Sequence, residues 1–188
     1  QEHIKHCRLV LQRLRQFNLK IQLDKSEFFR HETEYLGHRI TDEGVKPCPT
    51  KISAITNFPV PKSPTEIKSF LGLLGYYRKF IPNFSRLTKF LTVCLKKNAT
   101  IPHNNPKFIE RFNHCKELLC NDPILQYPDF TKEFNLTTDA SNFALGAILS
   151  QGPAGSDLPV CYASRTLNDS ETRYSTIEKE LSAIISNC

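Results

Sequence analysis

Ser63-Pro64-Thr65-Glu66-Ile67-Lys68-Ser69-Phe70-Leu71-Gly72-Leu73-Leu74-Gly75-Tyr76-Tyr77-Arg78-Lys79-Phe80-Ile81 reads as a single amphipathic helix with a marked start. Ser63 is an N-cap residue, Pro64 suits the first helical position, and Glu66 stands where a capping box needs it. The spacing predicts a helix from Pro64 to about Ile81. At a helical turn of about 100° per residue, Ile67, Phe70, Leu71, Leu74, Tyr77 and Ile81 fall on one buried stripe. Lys68, Gly72, Gly75, Tyr76 and Lys79 share another arc. Each glycine costs a helix interior about 1 kcal/mol relative to alanine, so a gain must offset two of them. Glycines allow close approach of a backbone, lysines meet phosphates, and a tyrosine ring offers a flat face to a sugar or base. Helix-on-helix packing through the glycines is the competing explanation.

Upstream, Tyr35, Gly37 and Arg39 alternate with Leu36, His38 and Ile40, a strand signal, and Thr41-Asp42-Glu43-Gly44 is a turn, so a β-hairpin is expected there. Residues 2–17 read as an amphipathic helix carrying Ile4, Leu9, Leu11 and Leu14. Five prolines between Pro47 and Pro64 leave room for a short helix around Lys51–Asn57. Downstream, a helix from about Ser85 to Lys97 and another from Asn105-Pro106 through Phe108, Phe112, Cys115 and Leu118-Leu119 to Asn121-Asp122-Pro123 complete a small bundle. From Phe130 the texture becomes that of strands. Phe134 and Leu136 take one face, so Asn135, Thr137 and Asp139 take the other. Phe143–Ser150 and Val160–Ser164 follow as two further strands of an antiparallel meander. Ser175 caps a final helix with Glu178 in capping-box position and an apolar stripe of Ile177, Leu181, Ile184 and Cys188. Asp139 at a strand end and a carboxylate on that helix could share a metal ion. Glu178 and Glu180 both border the stripe, and periodicity does not choose between them.

Charge is divided along the chain. Residues 1–100 carry 18 Lys/Arg against 8 Asp/Glu, and residues 101–188 carry 7 against 11, which together give the net +6. The first half therefore faces a polyanion, or is merely a solubilising basic surface. Seven scattered cysteines without a C-x-x-C fit reduced thiols, and His114-Cys115 with Cys120 matches no common zinc spacing. There is no run of eighteen apolar residues and no secretory signal pattern, so a cytoplasmic or nuclear protein that neither enters a membrane nor is secreted is expected. The absence of methionine suggests an internal piece of a longer chain.

Nearly the whole sequence resembles the Pol polyproteins of gypsy-like LTR retrotransposons, which encode a reverse transcriptase followed by RNase H. The matching runs are Tyr35-Leu36-Gly37-His38, Phe70 through Phe84, Leu136-Thr137-Thr138-Asp139-Ala140-Ser141, Ala144-Leu145-Gly146-Ala147, Tyr162 through Asn168, and Tyr174 through Leu181. The resemblance implies an α+β architecture: the end of the polymerase palm with its hairpin (1–48), a helical thumb and connection (49–127), and an incomplete RNase H-like fold of three antiparallel strands and one helix (128–188). It implies that Leu36, Gly37 and His38 belong to the primer grip. It implies that the thumb arc of Lys68, Gly72, Gly75, Tyr76 and Lys79 meets the template–primer or RNA–DNA hybrid duplex. It selects Glu180 over Glu178 as the partner of Asp139 in a two-Mg²⁺ site, the ions about 4 Å apart and held by hard carboxylates. The family's polymerase aspartates and the later RNase H aspartate are absent from these residues, so both centres would be completed by the rest of the Pol polyprotein, in a virus-like particle. A remnant that binds nucleic acid or a protein without catalysis is the alternative reading, and a non-functional pseudogene product is another. Phe90 and Asp42 stand where many relatives have proline.

Overall fold

Prolines and capping side chains mark the helix starts in the computed structural model, which describes residues 1–121, 123–153 and 155–186. The chain divides into two compact units, Gln1–His31 and Glu32–Cys188. The first contains α1 (Glu2–Gln16), which buries none of its side chains. Among its described residues Ile4, Leu9, Val10 and Leu11 are exposed, so the expected apolar side is present without a core of its own.

The second unit begins with β1 (Thr33–Tyr35), β2 (His38–Ile40) and β3 (Val45–Pro47), an antiparallel sheet in sequence order. The alternation over Glu34–Ile40 predicts one strand, and the structure divides it with a two-residue turn. Leu36 and Gly37 both take left-handed backbone, φ 46° and 71°. Such turns match the twist of paired strands, but they normally recruit Asn or Gly, and a leucine gives no signal. A two-residue turn also leaves polar and apolar alternation uninterrupted, which hides it. Gly44 closes the next turn at φ 148°, and a Cβ there would run into the Leu125 carbonyl oxygen. That carbonyl accepts the Val45 N–H at 2.9 Å and the Leu125 N–H returns to Val45 at 3.0 Å, which ties the later linker to β3.

Four helices form the bundle: α2 (Pro49–Thr56), α3 (Pro64–Tyr76), α4 (Phe84–Val93) and α5 (Pro106–Cys120). Ser63 Oγ accepts the Glu66 N–H at 3.2 Å. The Glu66 carboxylate accepts from the Lys62 N–H at 2.6 Å, one residue before the box position. At the start of α5 the Asn105 side chain accepts from the Lys107 N–H. α3 stops at Tyr76, short of the predicted Ile81, and tightens into a 3-10 turn at Arg78–Phe80. Pro82 disfavours helical backbone at Ile81, so the helix must end before it. The tighter turn swings Phe80 inward beside Tyr77 and Ile81, where all three join Ile67, Phe70, Leu74, Leu91, Phe112 and Leu119 in the core. Each large apolar side chain buried there contributes about 2 kcal/mol. Cys115 lies in this core, and burial pushes its thiol up to about 12. His114 instead faces Glu117 and Cys120 touches the Thr56 hydroxyl, so these three side chains do not converge. α5 ends at Cys120 with Asn121 as its C-cap, beside the expected Asn121-Asp122-Pro123 stop, of which Asp122 lies outside the described residues.

The second sheet is β4 (Asn135–Ala140), β5 (Ala144–Gln151) and β6 (Leu158–Thr166), antiparallel in that order. Asp139 pairs with Gly146, and Gly146 with Ser164. Directly paired residues of antiparallel strands point to one face, so these three form a row. The bundle rests on that face. The Ser85 N–H donates to Ser164 Oγ at 2.9 Å, and Ser164 Oγ donates to Ser85 Oγ at 3.2 Å. Asn83, in left-handed backbone, lays its amide against the same row: a Cβ on Gly146 would stand 2.5 Å from Asn83 Oδ1.

The last helix, α6 (Thr176–Ile185), packs on β4 and β5 and has the expected capping box between Ser175 and Glu178. It turns Lys179 and Ala183 inward, while Leu145 and Ala147 are buried on the sheet face opposite the Asp139 row. The expected stripe points outward instead, with Ile177 80%, Leu181 54% and Ile184 46% exposed; Cys188 lies outside the described residues. Short Ala183 lets the helix approach the sheet closely, and Lys179 covers it with its aliphatic stem while its ammonium reaches Asn142 Oδ1 at 3.3 Å. Among the described residues no helix is long and apolar enough to cross a membrane.

Candidate nucleic-acid interface

Where the hairpin tip meets α2 and α3, a groove of about 540 Å³ opens. Leu36, Gly37, Lys68, Gly72 and Tyr76 line it, so five of the eight residues predicted to touch nucleic acid come together. Lys51, Ile55, Ser69, Leu73 and Tyr77 complete the lining. Sequence reasoning missed Lys51, because only the packing of α2 beside α3 sets it near Lys68. A Cβ at Gly72 would meet nothing within 4 Å, so this glycine is not used for helix packing and leaves the groove open to an incoming backbone. Gly75 lies near Phe84 instead, its Cβ position 3.9 Å from the ring tip, and is the glycine of the pair that faces the bundle.

The remaining predicted residues lie behind the groove. His38 is half-buried and stacks on Tyr76, ring centroids 5.4 Å apart and planes 12° from parallel, with Tyr77 and Phe80 closing around it. Burial, and then the nearby Lys79 charge, hold its pKa below the ordinary 6.5. Its Nδ1 is buried without a hydrogen-bond partner. Lys79 belongs to the 3-10 turn that packs against β6, its pKa lowered by burial, with its ammonium 5.3 Å from the Phe80 ring centre. Tyr76 is half exposed, but its hydroxyl is engaged: it donates to the Leu36 carbonyl. The Tyr77 hydroxyl donates to the Gly37 carbonyl at 2.7 Å.

The carboxylate pair occupies the second sheet. Asp139 is exposed on β4, at a small cleft that it shares with Asn83, Arg86, Ser141 and Ser164. Glu180 is half-buried on α6, next to the buried Lys179. Glu178 is occupied as a cap, accepting the Ser175 N–H at 2.7 Å, and that bond holds its pKa low. Carboxylate oxygens suit a hard divalent ion. Among the described residues, however, no group of three or more His, Cys, Asp or Glu side chains is placed to hold one.

Residues 105–188 match a family described as the RNase H-like domain found in reverse transcriptase. Over 184 residues, 98% of the chain, the sequence is 52% identical to the retrovirus-related Pol polyprotein from transposon 297 of Drosophila melanogaster. It is 38% identical over 195 residues to the corresponding polyprotein from transposon gypsy of the same organism. Residues 105–188 belong to that RNase H-like family, and nearly the whole chain is homologous to one region of retrotransposon Pol polyproteins. It spans 17% of the transposon 297 polyprotein and 18% of the gypsy one. In this Pol segment the family match begins at the cap of α5 and takes in both Asp139 and Glu180. The fold is shared with the foamy viral protease-reverse transcriptase dRH in complex with double-stranded DNA, at TM-score 0.80 and 24% identity over 99% of this chain and 33% of that one. The foamy viral protease-reverse transcriptase in complex with RNA/DNA hybrid matches at the same TM-score over 25% of its length.

Proposed function

We propose that this Pol segment grips the template–primer duplex of its parent reverse transcriptase, with β1–β2 as primer grip and α3 as the thumb helix that follows the backbone. The groove carries this reading: the hairpin tip, an open glycine and two lysines from different helices line one concave surface in the basic half of the chain. Lysines at such a surface neutralise phosphates and release counterions, so binding weakens with salt whatever the base sequence. Joint replacement Lys51→Ala and Lys68→Ala is expected to weaken binding of a labelled RNA–DNA hybrid about tenfold at moderate salt. It should also flatten the logarithmic salt slope by about two, one for each phosphate contact. Fluorescence anisotropy on the 188-residue chain reads both quantities. An unchanged affinity and slope would remove the groove as the contact surface.

The family match to an RNase H-like domain favours a second role for the parent enzyme, hydrolysis of the RNA strand, with Asp139 and Glu180 as two carboxylates toward Mg²⁺ and other ligands supplied by the rest of the polyprotein. RNase H-like domains generally use a divalent metal. Asp139 offers an exposed carboxylate at the end of β4 and Glu180 a half-buried one on α6, the helix packed on the other face of the same sheet, so each would contribute one hard oxygen ligand from its own side.

A further inference from the structure

We propose that Tyr76 and Tyr77 are positioning residues: by holding the Leu36 and Gly37 carbonyls they set the tip of the β1–β2 hairpin, and with it the end of a primer strand laid on that tip. The inference rests on the grip reading above.

The tip needs such support. Leu36 sits in left-handed backbone at φ 46°, a conformation that costs a residue with a Cβ about 1 kcal/mol or more. Its side chain is 68% exposed, so packing of that side chain does not offset the strain. What holds the turn comes from 40 residues away. The Tyr76 hydroxyl donates to Leu36 O, and the Tyr77 hydroxyl to Gly37 O at 2.7 Å. The Cys48 N–H donates to the same Gly37 carbonyl at 3.1 Å, anchoring the tip to the start of α2 as well. Tyr77 is 2% exposed and desolvation pushes its phenol up to about 12, so the hydroxyl remains a donor across the whole working range of pH.

The two rings also leave the tip little freedom to slide. A Cβ on Gly37 would lie 3.3 Å from Tyr76 Cε1 and 3.5 Å from the Tyr77 hydroxyl, so the glycine backbone is seated directly against both rings. His38 fills the angle between them, stacked on one and meeting the edge of the other. Tyr76 and Tyr77 are consecutive, yet one lies at the end of α3 and the other is its C-cap. The helix end is therefore what presents two adjacent hydroxyls to two adjacent carbonyls, and movement of α3 must carry the tip with it.

The test removes one oxygen at a time. Tyr76→Phe and Tyr77→Phe are made in a Pol enzyme containing this segment, and primer extension is followed on a preformed template–primer. A tip displaced by a fraction of an ångström misplaces the reacting end, so kcat on saturating template–primer is expected to fall about tenfold. Both tyrosines line the groove, so some duplex affinity is lost as well, but by much less than kcat, and the salt slope is unchanged because no charge is removed. In the 188-residue chain the same changes should raise hydrogen exchange at residues 36–38 while leaving α5 protected. Extension at the wild-type rate in both variants overturns the proposal. So does a fall in duplex affinity matching the fall in kcat, since that is loss of contact and not of position. Tyr76→Phe keeps the test decisive if the buried Tyr77 variant folds poorly. Where the Lys51 and Lys68 pair proves irrelevant to binding, the grip reading itself fails; where that pair matters and the phenylalanine variants extend normally, only the joint fails.

Discussion

His38 shows how far one side chain can stand from the role its position suggests. It follows directly on the exposed hairpin tip, yet its ring is boxed by Tyr76, Tyr77 and Phe80 and its Nδ1 has no hydrogen-bond partner. The cage favours the neutral imidazole, and its pKa lies below 6.5 in the folded chain. Below pH 6.5 the unfolded chain takes up a proton that the folded chain resists, so stability is lost as the pH falls toward the folded pKa. Thermal midpoints between pH 7.5 and 5.5 should therefore drop more steeply for the wild-type chain than for His38→Gln. Equal slopes would show that the cage does not perturb the ring. Nothing in the sequence reveals this cage, since its members come from β2, α3 and the turn after α3. Lys51 was hidden for the same reason, being one of ten Lys/Arg among residues 1–51 until α2 and α3 are packed together.

At the scale of elements, starts were more legible than orientations. Ser63, Asn105 and Ser175 announce α3, α5 and α6, because a cap is a local hydrogen bond between residues two or three apart. The core stripe of α3 was equally readable, since four helices of one bundle must bury their apolar sides somewhere. The side of α6 that meets the sheet was not. Its apolar stripe is the obvious candidate, but only contact with β4 and β5 decides, and that contact selected Lys179 and Ala183. Ile177→Glu with Leu181→Glu should accordingly leave the unfolding free energy within about 0.5 kcal/mol and improve solubility. Ala183→Leu, against a residue that is 0% exposed, should cost about 2 kcal/mol through overpacking. Chemical denaturation of the three proteins distinguishes the two faces, and the opposite ranking would mean that α6 lies the other way round in solution. The Leu36–Gly37 turn belongs to this scale too: alternation carried on through it, and only the left-handed backbone exposes the break.

For the whole molecule, the division of charge and the division of chemistry coincide. The basic half holds the groove and the acidic half holds the two candidate carboxylates. Under the proposed function, binding and cleavage would therefore be separable. The 188-residue chain is expected to bind hybrid and, with no third carboxylate gathered among its described residues, to cleave it at no measurable rate in Mg²⁺. Product analysis on a labelled RNA strand checks this, and efficient turnover would mean that Asp139 and Glu180 suffice. The family itself was legible because long runs such as Phe70–Phe84 survive intact. Whether two carboxylates on separate elements make a working centre was not, because a metal site depends on distances that no short run of residues encodes.

The linker into the second sheet gives this division a mechanical meaning. Leu125 is bonded to Val45 in both directions, the Tyr127 hydroxyl donates to the Thr41 carbonyl at 2.8 Å, and the Gln126 N–H donates to the Pro159 carbonyl at 2.8 Å. A connection stitched at each step to the hairpin sheet on one side and to β6 on the other is a ruler, not a leash. Under the proposed function, a strand gripped at the hairpin tip would then meet Asp139 across a set span, in constant phase.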